Sequence, residues 1–339
     1  MRILRWTAGI VAGLILLAVL AVVIVVVFVD PNRFKGRIER MVQQATGQPF
    51  EIRGDLDIAW YPWLALKTGP AQLGTDPPLV QWEAARVGAQ LIPLIRGRLI
   101  VSKVRLEGLQ VHLRRDSAGR TNWNSLTAKP GTDPRPPPEI GGLEIRNGAL
   151  DYWDAQSNKR VALSNWRLDV DAWQPGKPVA ARTQFTIGPA QLSLLMNLNS
   201  MEPLQARGAL SVETSSLRSL LSDLSIPGPR PLDPTALGVF TLTTQWTVND
   251  SAISITPIAL RLDQTHFSGS LNRTSSLWTF VLKGDRIALD RYTRIEDTST
   301  KPFELPIAEL KALPIQGVLS FDEAQLGGAH MKDVRLHAR

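Results

Sequence analysis

The side chains able to do chemistry are few and scattered. There are four histidines, His112, His266, His330 and His337, and no cysteine. No histidine sits in a His-Glu-x-x-His zinc pattern. His330 and His337 fall in adjacent strand-like runs, which does not amount to a metal site. Ser268-Gly269-Ser270 reads as a strand turn, and no Gly-x-Ser-x-Gly elbow is present. No glycine-rich phosphate loop follows a strand. Asp169 and Asp171 alternate along a strand on one face, the pattern of a solvated face more than of general acid–base work. The absence of cysteine excludes disulfides and thiolate nucleophiles or metal sites. The expectation is a protein that is not an enzyme, with no catalytic residue, cofactor or metal.

The elements then matter more than any single reactive group. Ala8 to Val29 reads AGIVAGLILLAVLAVVIVVVFV. About twenty apolar residues at ~1.5 Å rise cross a bilayer core of ~30 Å. The run is too long for a signal peptide and lacks a small-residue cleavage site. Residues 1–29 are therefore expected to be a short stub and an uncleaved anchor, with Ala8, Leu14, Leu17, Val22, Val26 and Val29 in the span. Arg5 and Trp6 precede it, where basic groups and indoles favour the interface. Arg33, Lys35, Arg37 and Arg40 follow it, so charge counting leaves the orientation open.

Asp30 to Gly47 reads as an amphipathic helix leaving the membrane. Asp30 can cap it, Pro31 suits its first turn and Gly47 ends it. Phe34, Ile38, Met41, Val42 and Ala45 share one face. Phe34, Arg37 and Ile38 are the candidate interfacial residues. From Phe50 the apolar period changes to two, with runs at Phe50-Ile52, Leu56-Trp60, Ala84-Ile92, Val104-Leu106 and Leu109-Val111-Leu113.

Three stretches carry a resemblance to a known family. VDPNRFKGRIERMVQQATGQPFEIRGDLDIAWYPWLALKTG, ARVGAQLIPLIRGRLIVSKVRLEGLQVHLRRDSAGRTNW and GLEIRNGALDYWD resemble the AsmA family of bacterial envelope proteins. The resemblance implies an inner-membrane anchor with a cytoplasmic N-terminus and a periplasmic body. It also implies an elongated β-rich body related to bridge-like lipid transfer proteins, and a role in outer-membrane assembly or phospholipid homeostasis. Long members continue with further β repeats, so this chain reads as a short or truncated member.

The rest divides by punctuation. Residues 30–128 form a first module, and the Pro-rich 129–139 a stiff linker. Residues 140–225 form a second β module ending in a short helix near Ser215–Leu224. Residues 226–235 are a second linker, and 236–339 a third β module that looks incomplete. Phe240, Leu242, Thr244, Trp246 and Val248 make its longest alternation. LPIQGVLSFDEAQLGGAHMKDVRLHAR repeats the spacing of LEIRNGALDYWDAQSNKRVALSNWRLDV, a repeated hairpin unit.

The hydrophobic content is 44% and the mean hydropathy −0.04, which excludes disorder. The net charge of +7 is spread along the chain, so nucleic acid is not expected as a partner. Strands with one apolar face need that face covered. A sandwich, a barrel and a trough all satisfy this, and period two fits each of them. With the family resemblance, the expected fold is mainly β: an elongated antiparallel sheet curled into a groove, with β-sandwich modules as the alternative. The candidate groove residues are Leu109, Val111, Leu113, Phe240, Leu242, Trp246 and Val248. The expected partners are phospholipid or another envelope lipid, the inner membrane and envelope assembly proteins. A structural or adaptor protein binding such partners is the competing reading. The sequence leaves the oligomeric state open.

Overall fold

The computed structural model describes residues 30–59, 65–89, 101–124, 141–172, 174, 176–226, 231, 233–292 and 314–338. The expected anchor, with Arg5 and Trp6, lies outside them, as does the linker 129–139. Among the described residues no helix is long and apolar enough to cross a membrane.

A 3-10 turn, Pro31–Phe34, opens the described chain. The Asp30 side chain accepts from the Asn32 amide and caps it. An α-helix, Lys35–Thr46, follows and ends at Gly47, whose φ of 67° lies in the left-handed region that glycine enters without steric cost. Most of the other described residues are in strands. Among the described residues, nineteen strands form one hydrogen-bonded network.

The first strands are short: β1 Phe50–Ile52, β2 Leu56–Ala59, β3 Ala65–Thr68, β4 Ala71–Leu73, β5 Val80–Trp82, β6 Ala84–Ala89, β7 Val101–Glu107 and β8 Gln110–Arg115. They build two arms. One runs β2-β3-β6-β7 and the other β1-β4-β5-β8. Both arms end on the same side of β9, Gly142–Asp154, one along each half of it. The arms close together at their far ends. The β1–β2 turn crosses the β3–β4 turn so tightly that a Cβ on Gly54 would fall 2.5 Å from Gly69 Cα. Ile52, Leu56 and Ala71 are buried there, and Ile38 of the helix packs on them.

Beyond β9 the strands are long and follow chain order: β10 Lys159–Asp171, β11 Val179–Ile187, β12 Ala190–Met201, β13 Leu204–Thr214, β14 Phe240–Asn249, β15 Ala252–Leu262, β16 Thr265–Thr274, β17 Leu277–Ala288, β18 Ile315–Leu326 and β19 Ala329–Ala338. Each pairs antiparallel with the next, except that β17 and β18 are parallel. The sheet runs unbroken across residues 226–235, because β13 and β14 pair along ten positions.

The expectation of an antiparallel sheet holds for all but three of the described strand pairs. β9 is parallel to both β7 and β8, and β18 is parallel to β17. A parallel neighbour requires a crossover longer than a hairpin turn, and the stretches between β8 and β9 and between β17 and β18 supply that length. The repeated hairpin has a structural counterpart here. Both copies, β9–β10 and β18–β19, join the preceding strand in parallel and then turn back.

Candidate functional site

Pairing register fixes which side chains share a face. Starting from Leu56 on β2, the cross-strand partners are Thr68, Ala85, Leu106, Ile145, Leu168, Thr183, Leu194, Leu210, Thr244, Ile258, Gly269, Leu282, Leu319 and Leu336. This row crosses fifteen strands without a charge. The adjacent row runs from Ile58 through Leu66, Val87, Val104, Leu143, Val170, Ala181, Met196 and Gly208 to Trp246, Ile255, Leu271, Phe280, Gly317 and Ala338, also uncharged. At ~4.8 Å per strand each row extends about 65–70 Å.

Local sequence keeps the rows in phase. In β9 the apolar positions change from Leu143 and Ile145 to Leu150 and Tyr152, an odd-to-even slip absorbed at Asn147, φ 51°. β10 makes the same slip between Leu163 and Trp166, at Asn165, φ 52°. β15 slips between Ile255 and Ile258. Each slip is a bulge, and bulges bend a strand and raise its twist. They let a long sheet curve while one face stays apolar.

Glycines opposite aromatic rings recur on this face. Gly148 faces Trp166, Gly208 faces Trp246, Gly317 faces Phe280, and Gly284 lies between Phe267 and Phe321. A Cβ at Gly208 would fall 2.6 Å from the Trp246 ring, and one at Gly284 2.6 Å from that of Phe321. The missing side chain lets each ring lie down on the neighbouring strand, the cross-strand use of aromatics over glycine.

Among the described residues this face is covered only in patches. Helix Leu217–Asp223, capped by Ser216, puts Leu220 over Ile187 and Ala190. The 3-10 turn Leu289–Arg291 covers Ile287, Phe321 and Ala324. Both patches border the same strand ends, and a polar network joins them. Asp263 accepts from the Leu237 and Gly238 amides at 3.0 and 2.8 Å and from the Tyr292 hydroxyl at 2.8 Å. Burial, the Asp263 hydrogen bond and the Asp263 charge push the Tyr292 phenol well above its ordinary value. Arg291 donates to Asp233 at 2.8 Å. Asp233 is held at about 2 by hydrogen bonds from Thr235 and Arg291. Between the patches the apolar rows are half-buried. Among the described residues the only large side chain under 2% exposed is Leu56. A filled two-sheet core would bury many more. The result is an elongated sheet compatible with a groove, closed along one set of strand ends.

The opposite face is polar. Glu144, on β9 at the junction with the arms, is 9% exposed and holds Lys103 at 3.1 Å and Arg105 at 3.0 Å, with Arg146 beside it. Burial opposes its charge, but hydrogen bonds from the three cations outweigh it and hold the carboxyl at about 2. A cavity of about 730 Å³ lies against this cluster, between Arg146, Arg167, Asp169 and Arg182.

Phe240, Leu242, Trp246 and Val248 lie together on the apolar face of β14 and are half-buried. Val111 and Leu113 lie on the same face as Leu150 and Tyr152, and Leu109 is buried at 5% exposure. Ile38 faces the core, whereas Phe34 and Arg37 point outward, with Phe34 47% exposed. Sequence reading missed the parallel strands, the glycine–aromatic pairs and the Glu144 cluster. All depend on register between distant segments. In the residue order the odd-to-even changes around Asn147 and Asn165 look like strand breaks. Among the described residues no group of three His, Cys, Asp or Glu could hold a metal.

The AsmA family model matches residues 1–188. The AsmA family protein YhjG of Escherichia coli (strain K12) is 27% identical over 191 residues, covering 51% of this chain and 27% of that protein. Protein AsmA of the same organism is 22% identical over 288 residues, covering 81% of this chain and 46% of that protein. The chain thus spans about half or less of the length of these curated relatives. No solved structure matches it.

Proposed function

Because the chain belongs to the AsmA family, we propose that it is a non-enzymatic envelope protein that holds phospholipid acyl chains along the uncharged face of its sheet. In this reading residues 8–29 anchor it in the bacterial inner membrane and the sheet stands in the periplasm, serving outer-membrane assembly or lipid homeostasis. The observation that carries the reading is the pair of uncharged rows, crossing fifteen strands, half-buried and, among the described residues, without a second layer over most of their length. Apolar surface of that extent is unfavourable in water, and burying acyl chains against it yields ~0.8 kcal/mol per methylene. The rows are more than twice as long as the ~30 Å hydrocarbon core of a bilayer, which leaves room for more than one lipid.

The test is capture. Delipidated full-length protein carrying a photo-crosslinking amino acid at Leu242 or Trp246 is mixed with phospholipid vesicles and irradiated. Lipid adducts at both positions, absent from the polar-face positions Thr243 and Gln245, support the reading. Protein adducts without lipid would favour an adaptor role instead.

A further inference from the structure

Next to the two uncharged rows runs a third, toward the strand ends that no described element caps. It passes Val248, Ile253, Arg273, Trp278 and Ile315 on β14 to β18. Arg273 is the charge in this otherwise apolar row. Its guanidinium carbon sits 5.7 Å from the centroid of the Trp278 ring. Its Nε is shielded from solvent and has no hydrogen-bond partner. No carboxylate among the described residues pairs with it. Among the described residues two other arginines have a shielded, unpartnered Nε, and both differ. Arg105 is paired to Glu144 at 3.0 Å. Arg114 lies over Trp153 on the polar face.

A cation on an apolar face costs free energy unless an anion meets it. The indole supplies cation–π attraction but no acceptor. The unused donors of a guanidinium match a planar or tetrahedral oxyanion, phosphate above all. The row of Trp246, Ile255, Leu271 and Phe280 begins two residues further along each strand, about 7 Å away. We propose that Arg273, backed by Trp278, is a headgroup station that takes the phosphate of a phospholipid whose chains lie on the neighbouring uncharged rows. The proposal rests on the lipid-binding reading above and adds where the headgroup sits and what charge it carries. It predicts that lipids enter with their headgroups at the strand ends that no described element caps, away from the edge closed by Leu220 and Tyr292.

The experiment measures binding of the detergent-solubilised, delipidated full chain to phosphatidylglycerol and to diacylglycerol with identical acyl chains. The expected result is a preference of roughly tenfold or more for the phospholipid, the size of a charge-assisted hydrogen bond. Arg273→Gln should abolish the preference and leave diacylglycerol binding unchanged, and Arg273→Lys should keep part of it. A preference untouched by Arg273→Gln overturns the proposal. Should that variant fail to fold, an undiminished preference in Arg273→Lys overturns it. Equal binding of the two lipids by the unaltered protein overturns the headgroup station and leaves the acyl-chain reading standing. Binding of neither removes both. Inorganic phosphate is the third probe. Arg273-dependent binding as tight as that of the phospholipid would make this a free-phosphate site and overturn the lipid assignment.

Discussion

Replacing Glu144 by glutamine should loosen the joint that keeps the apolar face continuous. β9 receives both arms on one edge and β10 on the other, and Glu144 is bonded to Lys103, Arg105 and Arg146 at that meeting point. Its carboxyl is held at about 2 against an ordinary 4.5. That displacement corresponds to about 3 kcal/mol of folding free energy. The carboxylate is 9% exposed, but Lys103 and Arg146 are 41% and 57% exposed, so screening trims the figure to about 2–3 kcal/mol. A depressed carboxylate stabilises the fold above its unfolded value, and the contribution disappears as pH falls through the folded one. Glu144→Gln should therefore cost its full amount at pH 7. The gap to the unaltered protein should narrow as pH drops from about 4.5 toward 2. Urea titrations at a series of pH values, followed by tryptophan fluorescence, report this, since Trp166 lies on neighbouring β10. A gap that stays constant with pH, or falls below about 1 kcal/mol at pH 7, would refute the assignment of Glu144 as the charged centre of the joint.

Gly208→Ala should destabilise by about 1–3 kcal/mol and shift tryptophan emission, because its Cβ would sit 2.0 Å from the Leu195 carbonyl oxygen and 2.6 Å from the Trp246 ring; thermal melts with fluorescence check both. Tyr292→Phe removes the 2.8 Å hydroxyl bond to Asp263 and should cost about 1 kcal/mol, with faster hydrogen exchange at the Leu237 and Gly238 amides. Leu220→Ala, at a position 6% exposed, should cost about 2–3 kcal/mol and raise exchange in helix Leu217–Asp223 more than in the central strands.

Much of this architecture was legible from residue order. Asp30 caps the first turn and Gly47 ends the helix, as their chemistry dictates. The alternation from Phe240 to Val248 is one face of β14, and Ser216 caps the predicted short helix. What the chain does not display is register. Leu143-Ile145 and Leu150-Tyr152 read as two strands because the phase slips at Asn147, yet they are one strand with a bulge. The parallel joins at β9 and β18 depend on crossovers whose destination no local pattern reveals. The glycine–aromatic pairs join residues as far apart as Gly208 and Trp246. Arg273 looks like an ordinary strand arginine until pairing puts it in an apolar row beside Trp278. The branch at β9 has the same origin, since two short-strand arms sharing one edge leave no periodic trace.

Lipid binding requires the apolar rows to be open to a guest. The protein has no cysteine, so a single Leu194→Cys substitution reports on the middle of the row that starts at Leu56 without interference. In delipidated full-length protein a small maleimide should label Cys at 194 readily, and added phospholipid, but not its soluble headgroup, should slow that labelling at least several-fold. A thiol equally unreactive with and without lipid, in a protein that melts normally, would mean that the face is filled by the protein's own side chains and would contradict the account.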